Sequence, residues 1–273
     1  MSKMSNKTQN KIKRIDGESR YYEIDGIRYP SVTTILSCID KPALRFWYRK
    51  EALLEVERNW EYLSEMIKGG TYIEDALKEI TKKSKTKPEE IMQKALDVGS
   101  AVHSCLEIMV KRQIQNNHKK IEWGKITQEE LNALLPVSTP IENVKLIFNC
   151  LIAFGEWANK IDFRPVESEL TVYSKKHQFA GTLDAIGLVK GKLAVIDFKS
   201  SKAIYSEMAL QLSAYKFAYR EMSKKAVPEM WILRLGKEDG EFEARKFNDY
   251  KNNIRAFMGA YELWSWKQKQ EKK

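Results

Sequence analysis

The sequence predicts an α/β protein: a central mixed sheet flanked by helices, with a helical N-terminal elaboration. Three observations support this. After Pro165 the chain alternates short apolar runs with tight turns, then gives a helix and two more strand-like runs. From Ala43 to about Leu135 apolar residues recur near a 3.6 period and strand-like alternation is missing. At 273 residues and 43% hydrophobic, the chain can bury a large core without disulfide or metal staples.

Taken in order, residues 1–20 read as a basic flexible arm, with five basic residues and no acidic one through Arg14. Tyr21 to Tyr29 carries Asp25-Gly26 between apolar-aromatic runs, the signal of a tight hairpin, and Ser31 is placed to cap a helix starting at Val32. Residues 21–140 then form a hairpin and a mainly helical part packed on the core, with Lys82 to Pro88 as a basic turn between two helices. The core is expected over residues 141–273. It opens with a helix from Val144 to about Lys160, whose Val144, Ile147, Phe148, Leu151, Ile152 and Phe154 make a broad apolar face. Strands follow at Val166 to Tyr173, Phe179 to Val189 and Leu193 to Lys199. A helix from about Ser206 to Glu221, strands at Met230 to Leu235 and Phe242 to Phe247, and a helix from about Asp249 complete it.

Composition narrows the function classes. Seven Trp, twelve Tyr and ten Phe exclude a disordered chain, and a net charge of +10 favours a polyanionic partner over a neutral small molecule. Cys38, Cys105 and Cys150 stand far apart with no paired spacing, which reads as reduced thiols in a cytoplasmic protein. No apolar run is long enough to span a membrane, so no membrane partner is expected.

Chemistry concentrates between Glu169 and Tyr215. The apolar run Leu193 to Ile196 leads straight into Asp197-Phe198-Lys199; strand alternation puts Asp197 and Lys199 on one face and Phe198 on the other. Charges at the end of a buried strand are costly unless paired or holding an ion. Asp184 lies 13 residues earlier, a separation that a hairpin folds back on itself. Two carboxylates and a lysine at adjoining strand ends suit a divalent cation that polarises a phosphate.

The runs G-T-L-D-A-I-G, V-I-D-F-K-S-S-K and Q-L-S-A-Y-K-F-A-Y resemble the PD-(D/E)XK nuclease superfamily, in particular its RecB-type branch. That branch includes phage-type exonucleases, the CRISPR adaptation nucleases and the mitochondrial genome maintenance exonuclease. Tyr29 to Ser37 (Y-P-S-V-T-T-I-L-S) also resembles the opening of the phage-type members. The resemblance implies a restriction-endonuclease-like core and an Mg²⁺- or Mn²⁺-dependent deoxyribonuclease, with exonuclease preferred. By the same likeness Asp184 and Asp197 match the metal-binding acids, Lys199 the catalytic lysine, and the carbonyl of Phe198 a further ligand. Glu169 matches a further acid, with Glu167 as its competitor on the same strand face. His103, in G-S-A-V-H, matches a helix-borne metal ligand, and Gln211 with Tyr215 matches the Q-x-x-x-Y element that supports the site. Some relatives hold an iron–sulfur cluster through four cysteines; three unclustered ones predict none here.

DNA, single-stranded or as an end-processed duplex, is the expected substrate, in recombination, repair or replication, with proteins of those processes as partners. Lys175, Lys176 and Lys202, together with Lys190 and Lys192, are expected to gather at turns beside the metal site. Arg45, Arg49 and Lys50, interleaved with Phe46, Trp47 and Tyr48, either line a nucleic-acid path or belong to an ordinary amphipathic helix. His118 and His177 have no partners at ligand spacing and read as surface residues. Two other readings stand beside the exonuclease: a non-catalytic nucleic-acid-binding subunit that kept the fold, and a structure- or sequence-specific endonuclease.

Overall fold

The computed structural model describes residues 12–116, 123, 128–135 and 139–271. In chain order the elements are β1 (Ile12–Ile15), β2 (Tyr21–Ile24), β3 (Ile27–Pro30), α1 (Val32–Leu36), α2 (Pro42–Arg58), α3 (Trp60–Lys68), α4 (Ile73–Gln115), α5 (Gln128–Leu134), α6 (Ile141–Lys160), β4 (Arg164–Ser174), β5 (Phe179–Val189), β6 (Lys192–Lys199), α7 (Ser206–Ser223), β7 (Glu229–Leu235), β8 (Phe242–Lys246) and α8 (Tyr250–Gln270). The chain divides into two units, one of Asp40–Ser100 and one of the described parts of Met1–Ile39 and Ala101–Lys273. These bounds differ from the expected breaks near 20 and 140. The reason lies in the hairpin: Tyr22, Ile24 and Tyr29 are buried only together with Tyr173 and Ala180 of the sheet, so the N-terminal strands belong to the core unit.

In the larger unit five strands run in the order β4-β5-β6-β7-β8. All neighbours are antiparallel except β6 and β7, which are parallel and joined through α7, a βαβ crossover. The result is the α/β architecture with a mixed sheet that the sequence predicts. Helices cover both faces. On one, Phe198 meets Phe154 of α6 edge to face, with ring centroids 5.4 Å apart. On the other, Leu212, Ala214 and Ala218 of α7 and Phe257 of α8 pack with Phe179, Leu183, Ile186, Val195 and Ile232.

β5 changes phase along its length. Phe179 and Leu183 face α7 and α8 while Ala180 faces the N-terminal hairpin, yet Ile186 is back among the α7 contacts. Leu183 and Ile186 are three residues apart, so the two-residue alternation slips at Asp184-Ala185. Pairing with β6 begins at that point, with Ala185 opposite Ile196. Asp184 is thereby freed from a fixed face.

The N-terminal sheet has the order β1-β2-β3. Asp25 and Gly26, with φ of 51° and 81°, give the left-handed turn that an Asp-Gly hairpin requires. Ser31 caps α1, its Oγ accepting from Thr34 N at 2.9 Å. Ile12 to Ile15 departs from the expected flexible arm: it is a strand in which Ile12 pairs with Ile24 and Arg14 with Tyr22. Its Ile-Lys-Arg-Ile run carries no apolar alternation, so the strand comes from its pairing with β2. Residues 1–11 of that arm lie outside the described residues.

In the smaller unit, Leu63, Ala76 and Ile80 form a cluster with Val56 and Met66. α2 buries no residue. Phe46 is 67% exposed, so it is not a core side chain, and half-buried Trp47 stacks edge to face on Tyr48. The expected turn at Lys82 to Pro88 is absent: α4 runs straight through Pro88. Ala76, Ile80, Ser84 and Pro88 are all buried, a stripe of period four that continues across the basic run. That burial outweighs the hydrogen bond that proline removes. Among the described residues, no helix is long and apolar enough to cross a membrane.

Candidate active site

Three elements deliver the acids and the histidine. Asp184 sits at the phase slip of β5, Glu169 on β4, and His103 on α4. Each can offer one ligand atom such that the three lie within 4.8 Å of one another. Ser168 pairs with Ala185 and Leu170 with Leu183, so Glu169 falls opposite Asp184 across the β4–β5 pair. Glu169 has φ of 49°, the left-handed region that a non-glycine residue adopts at a cost. Glu167 is exposed on the strand and is not in the cluster, so of the two glutamates that competed in the sequence, the structure brings Glu169 to Asp184.

Asp184 is held from two sides. Its Oδ2 accepts from the backbone N–H of Phe198 at 2.6 Å, and its Oδ1 lies 3.3 Å from His103 Nδ1. The carboxylate raises the His103 pKa to about 9. Burial disfavours the Asp184 charge, but His103, Lys199 and the Phe198 N–H together hold its pKa below the ordinary value. Glu169 is compensated less: burial, then the Asp184 charge, push it up to about 7 although His103 and Arg14 pull the other way.

The second half of the site is a chain of hydrogen bonds along α7. Lys199 Nζ lies 2.7 Å from Asp197 Oδ2 and donates to Gln211 Oε1 at 3.2 Å. Gln211 Nε2 reaches Asp197 Oδ1 at 3.3 Å and Tyr215 OH at 2.9 Å. Gln211 and Tyr215 are one helical turn apart, which is why both face the strand. Burial, then the Asp184 charge, leaves Asp197 at about 6 although Lys199 pulls the other way. Burial opposes the Lys199 charge too, but Asp197 and Asp184 hold its pKa above the ordinary value. The Asp197 Oδ2 atom has no partner in hydrogen-bond geometry.

Packing fixes this chain. A Cβ on Gly181 would stand 2.4 Å from Cε1 of Tyr215, so the ring can lie across β5 only because residue 181 has no side chain. On the opposite side of β5, Tyr22 OH and Thr182 Oγ1 share a hydrogen bond of 2.9 Å and bring the N-terminal hairpin to within two residues of Asp184. Neither Tyr22 nor Thr182 stood out in the sequence. The only signal was that Thr182 and Asp184 are two apart on a strand.

The basic residues do not gather as expected. Lys190 and Lys192 flank the β5–β6 turn, six or more residues from Asp184, which is roughly 20 Å along a strand. Lys175 and Lys176 sit at the other end of the β5 hairpin, where Lys175 faces Asp25 at 3.7 Å and Lys176 donates its backbone N–H to Glu221 at 3.2 Å. Lys202 lies exposed beyond the end of β6. The four turn lysines, Lys175, Lys176, Lys190 and Lys192, are divided between two sites because a strand's two turns lie at its opposite ends. Arg45, Arg49 and Lys50 lie on α2 in the smaller unit, with Arg45 paired to Asp40 at 2.6 Å. His177 is half-buried against Phe217, with ring centroids 5.4 Å apart, and His118 lies outside the described residues. All three cysteines are free thiols, and burial pushes Cys105 up to about 11 and Cys150 up to about 12.

A mixed sheet bearing Asp184, Asp-x-Lys and a neighbouring glutamate is an arrangement for phosphodiester chemistry. The chain belongs to the PD-(D/E)XK nuclease superfamily, whose family model matches residues 44–269. Among solved structures it is similar to that of a candidate exonuclease from Eubacterium rectale, at 16% identity and a TM-score of 0.39, over 62% of this chain and 64% of that one. It is also similar to SSO0001, at 16% identity and a TM-score of 0.28, over 60% of this chain and 74% of that one. The chain thus spans less than two thirds of the Eubacterium rectale protein. No curated protein matches it.

Proposed function

We propose that this chain is a divalent-metal-dependent DNA exonuclease of the RecB-type branch, acting in recombination, repair or replication in the cytoplasm. The observation that carries the reading is the convergence of His103, Glu169 and Asp184 within ligand distance of one another, coupled through Asp184 to Asp197 and Lys199. The donor set fits a hard or borderline cation: two carboxylates and an imidazole have mutual spacings compatible with bonds of about 2.0–2.4 Å to one ion. Asp197, buried and paired with Lys199 at 2.7 Å, adds a further carboxylate beside this set. Asp184, Glu169, His103, Asp197 and the Phe198 carbonyl would hold Mg²⁺ or Mn²⁺. When bound, the ion supplies charge neutralisation at the phosphate and lowers the pKa of water.

The chain's own residues do the rest. Lys199 stays protonated, since Asp197 and Asp184 hold its pKa up, so it serves as a fixed cation and hydrogen-bond donor and not as a proton acceptor. It orients the attacking water and stabilises charge developing on the phosphate oxygens. Gln211 keeps Lys199 and Asp197 in register by contacting both, and Tyr215 anchors Gln211. In-line attack would leave 5′-phosphate and 3′-hydroxyl ends, by likeness to the superfamily.

The test is incubation of purified protein with end-labelled single- and double-stranded DNA and closed circular DNA, in Mg²⁺, Mn²⁺ or EDTA, beside Asp197→Ala and Lys199→Ala. Metal-dependent mononucleotide release, lost in both variants, is the expected result. A discrete ladder from circles would make it an endonuclease. Inert wild type that still shifts DNA in a gel would make it a binding subunit.

A further inference from the structure

The proposed site is rich in carboxylates, and its one lysine is already engaged. Glu169, Asp184 and Asp197 meet Lys199, which Asp197 and Gln211 hold. The turn lysines lie well away along the strands. A phosphodiester entering this site needs a cation at its rim that those acids do not occupy.

The N-terminal hairpin supplies one. Arg14 pairs directly with Tyr22 across β1 and β2, so the two side chains leave the sheet on the same face with Cβ atoms about 5 Å apart. Tyr22 OH is bonded to Thr182 at 2.9 Å, and Thr182 lies two residues, about 7 Å, from Asp184 along β5. Arg14 is therefore carried toward the stretch of β5 that bears Asp184. Asp16 sits between two guanidinium groups, 2.9 Å from Arg14 and 2.7 Å from Arg20, so the trio keeps a net positive charge. The Arg14 side chain remains 43% exposed, open to a ligand while pre-aligned by Asp16. Lys13, its neighbour, pairs with exposed Glu23 and so points to the other face of β1.

We propose that Arg14, presented by β1 at the rim of the His103–Glu169–Asp184 cluster, binds a backbone phosphate of the nucleic acid and holds the strand for cleavage. The proposal rests on the nuclease reading for its substrate and assigns a positioning role, through substrate binding, to a strand that sequence alone placed in a flexible arm. A guanidinium matches a phosphate with two parallel hydrogen bonds, and a phosphodiester is the ligand such a cation beside a metal site would meet.

The experiment compares Arg14→Gln, Arg14→Lys and Lys13→Gln with wild type. Lys13→Gln removes the same charge from the opposite face of the same strand. Steady-state cleavage of a labelled oligonucleotide gives kcat and KM at several salt concentrations. Fluorescence anisotropy in EDTA gives binding, and a Mn²⁺ thermal shift reports the integrity of the acids. For Arg14→Gln the expectation is KM raised roughly tenfold, kcat within about twofold, a salt slope reduced by about one, and an unchanged Mn²⁺ shift. Arg14→Lys keeps the salt slope with KM raised severalfold, and Lys13→Gln matches wild type. The proposal is overturned if Arg14→Gln and Lys13→Gln alter KM equally, or if Arg14→Gln lowers kcat alone. If Arg14→Gln does not fold, Arg14→Lys decides, and a KM equal to wild type overturns it. Should wild type bind but cleave nothing, the nuclease reading falls, and anisotropy still judges Arg14.

Discussion

If the proposed cation binds here, it competes with protons for the same atoms, and the competition can be counted. His103, at about 9, holds nearly a full proton at pH 7, and Glu169, at about 7, holds half of one. Ligands must be deprotonated to bind metal, so occupation of the site at pH 7 should expel about 1.5 protons, nearly one of them from His103. By linkage, apparent affinity for Mn²⁺ then rises roughly 30-fold between pH 6.5 and 7.5. It rises about tenfold per unit near pH 8, where Glu169 is already ionised. Calorimetric titration with MnCl₂ in buffers of different ionisation enthalpy reads the proton count directly. His103→Ala should release about one proton fewer, with weaker binding. Release of fewer than about 0.5 protons at pH 7 by wild type, or an equal count in His103→Ala, would refute the assignment of His103 and Glu169 as ligands.

Three further outcomes follow from the same geometry. Without divalent cation the pH dependence of stability has a definite sign: His103 and Glu169 are both raised in the folded state, from 6.5 to about 9 and from 4.5 to about 7. Their contribution is complete below the unfolded values and is lost as pH rises through the folded ones, so Tm in EDTA should fall between pH 6.5 and 9, and saturating Mn²⁺ should reverse that trend. Gly181→Ala drives a Cβ to 2.4 Å from the Tyr215 ring and should cost about 1–3 kcal/mol in urea melts and much of the activity. Tyr215→Phe, losing one hydrogen bond, should cost about 1 kcal/mol; a milder Gly181→Ala than Tyr215→Phe would contradict the packing. Gly187→Ala meets Phe163 at 2.4 Å and the Arg164 backbone carbonyl at 2.9 Å; backbone cannot swing aside, so its Tm should drop further than that of Gly181→Ala.

The sheet was legible because its strands are short, apolar and punctuated by glycine and lysine turns. β5 begins at Phe179 and ends at Val189, as the run of residues predicts. Asp197 and Lys199 were legible as a pair on one face because a buried strand makes alternation strict. Three features were not. The lysines of KKSKTKP hid a buried stripe at every fourth residue, so α4 looked interrupted. β1 depends on β2 for its pairing, which no local pattern reports. That Glu169 and not Glu167 stands opposite Asp184 follows from a left-handed residue and from the register shift between Pro165 and Glu167, both set by tertiary pairing.

The bond from Tyr22 to Thr182 links residues 160 positions apart. At about 5–20 residues per second, a ribosome adds that stretch in roughly 8–32 s. Throughout that interval Tyr22, Ile24 and Tyr29 lack the Tyr173 and Ala180 surfaces that cover them. The hairpin is thus made first and seated late, and no emerging chain can assemble the acid cluster beside it until β5 and β6 have left the ribosome. Translation order itself thus sets the earliest moment at which the site can form.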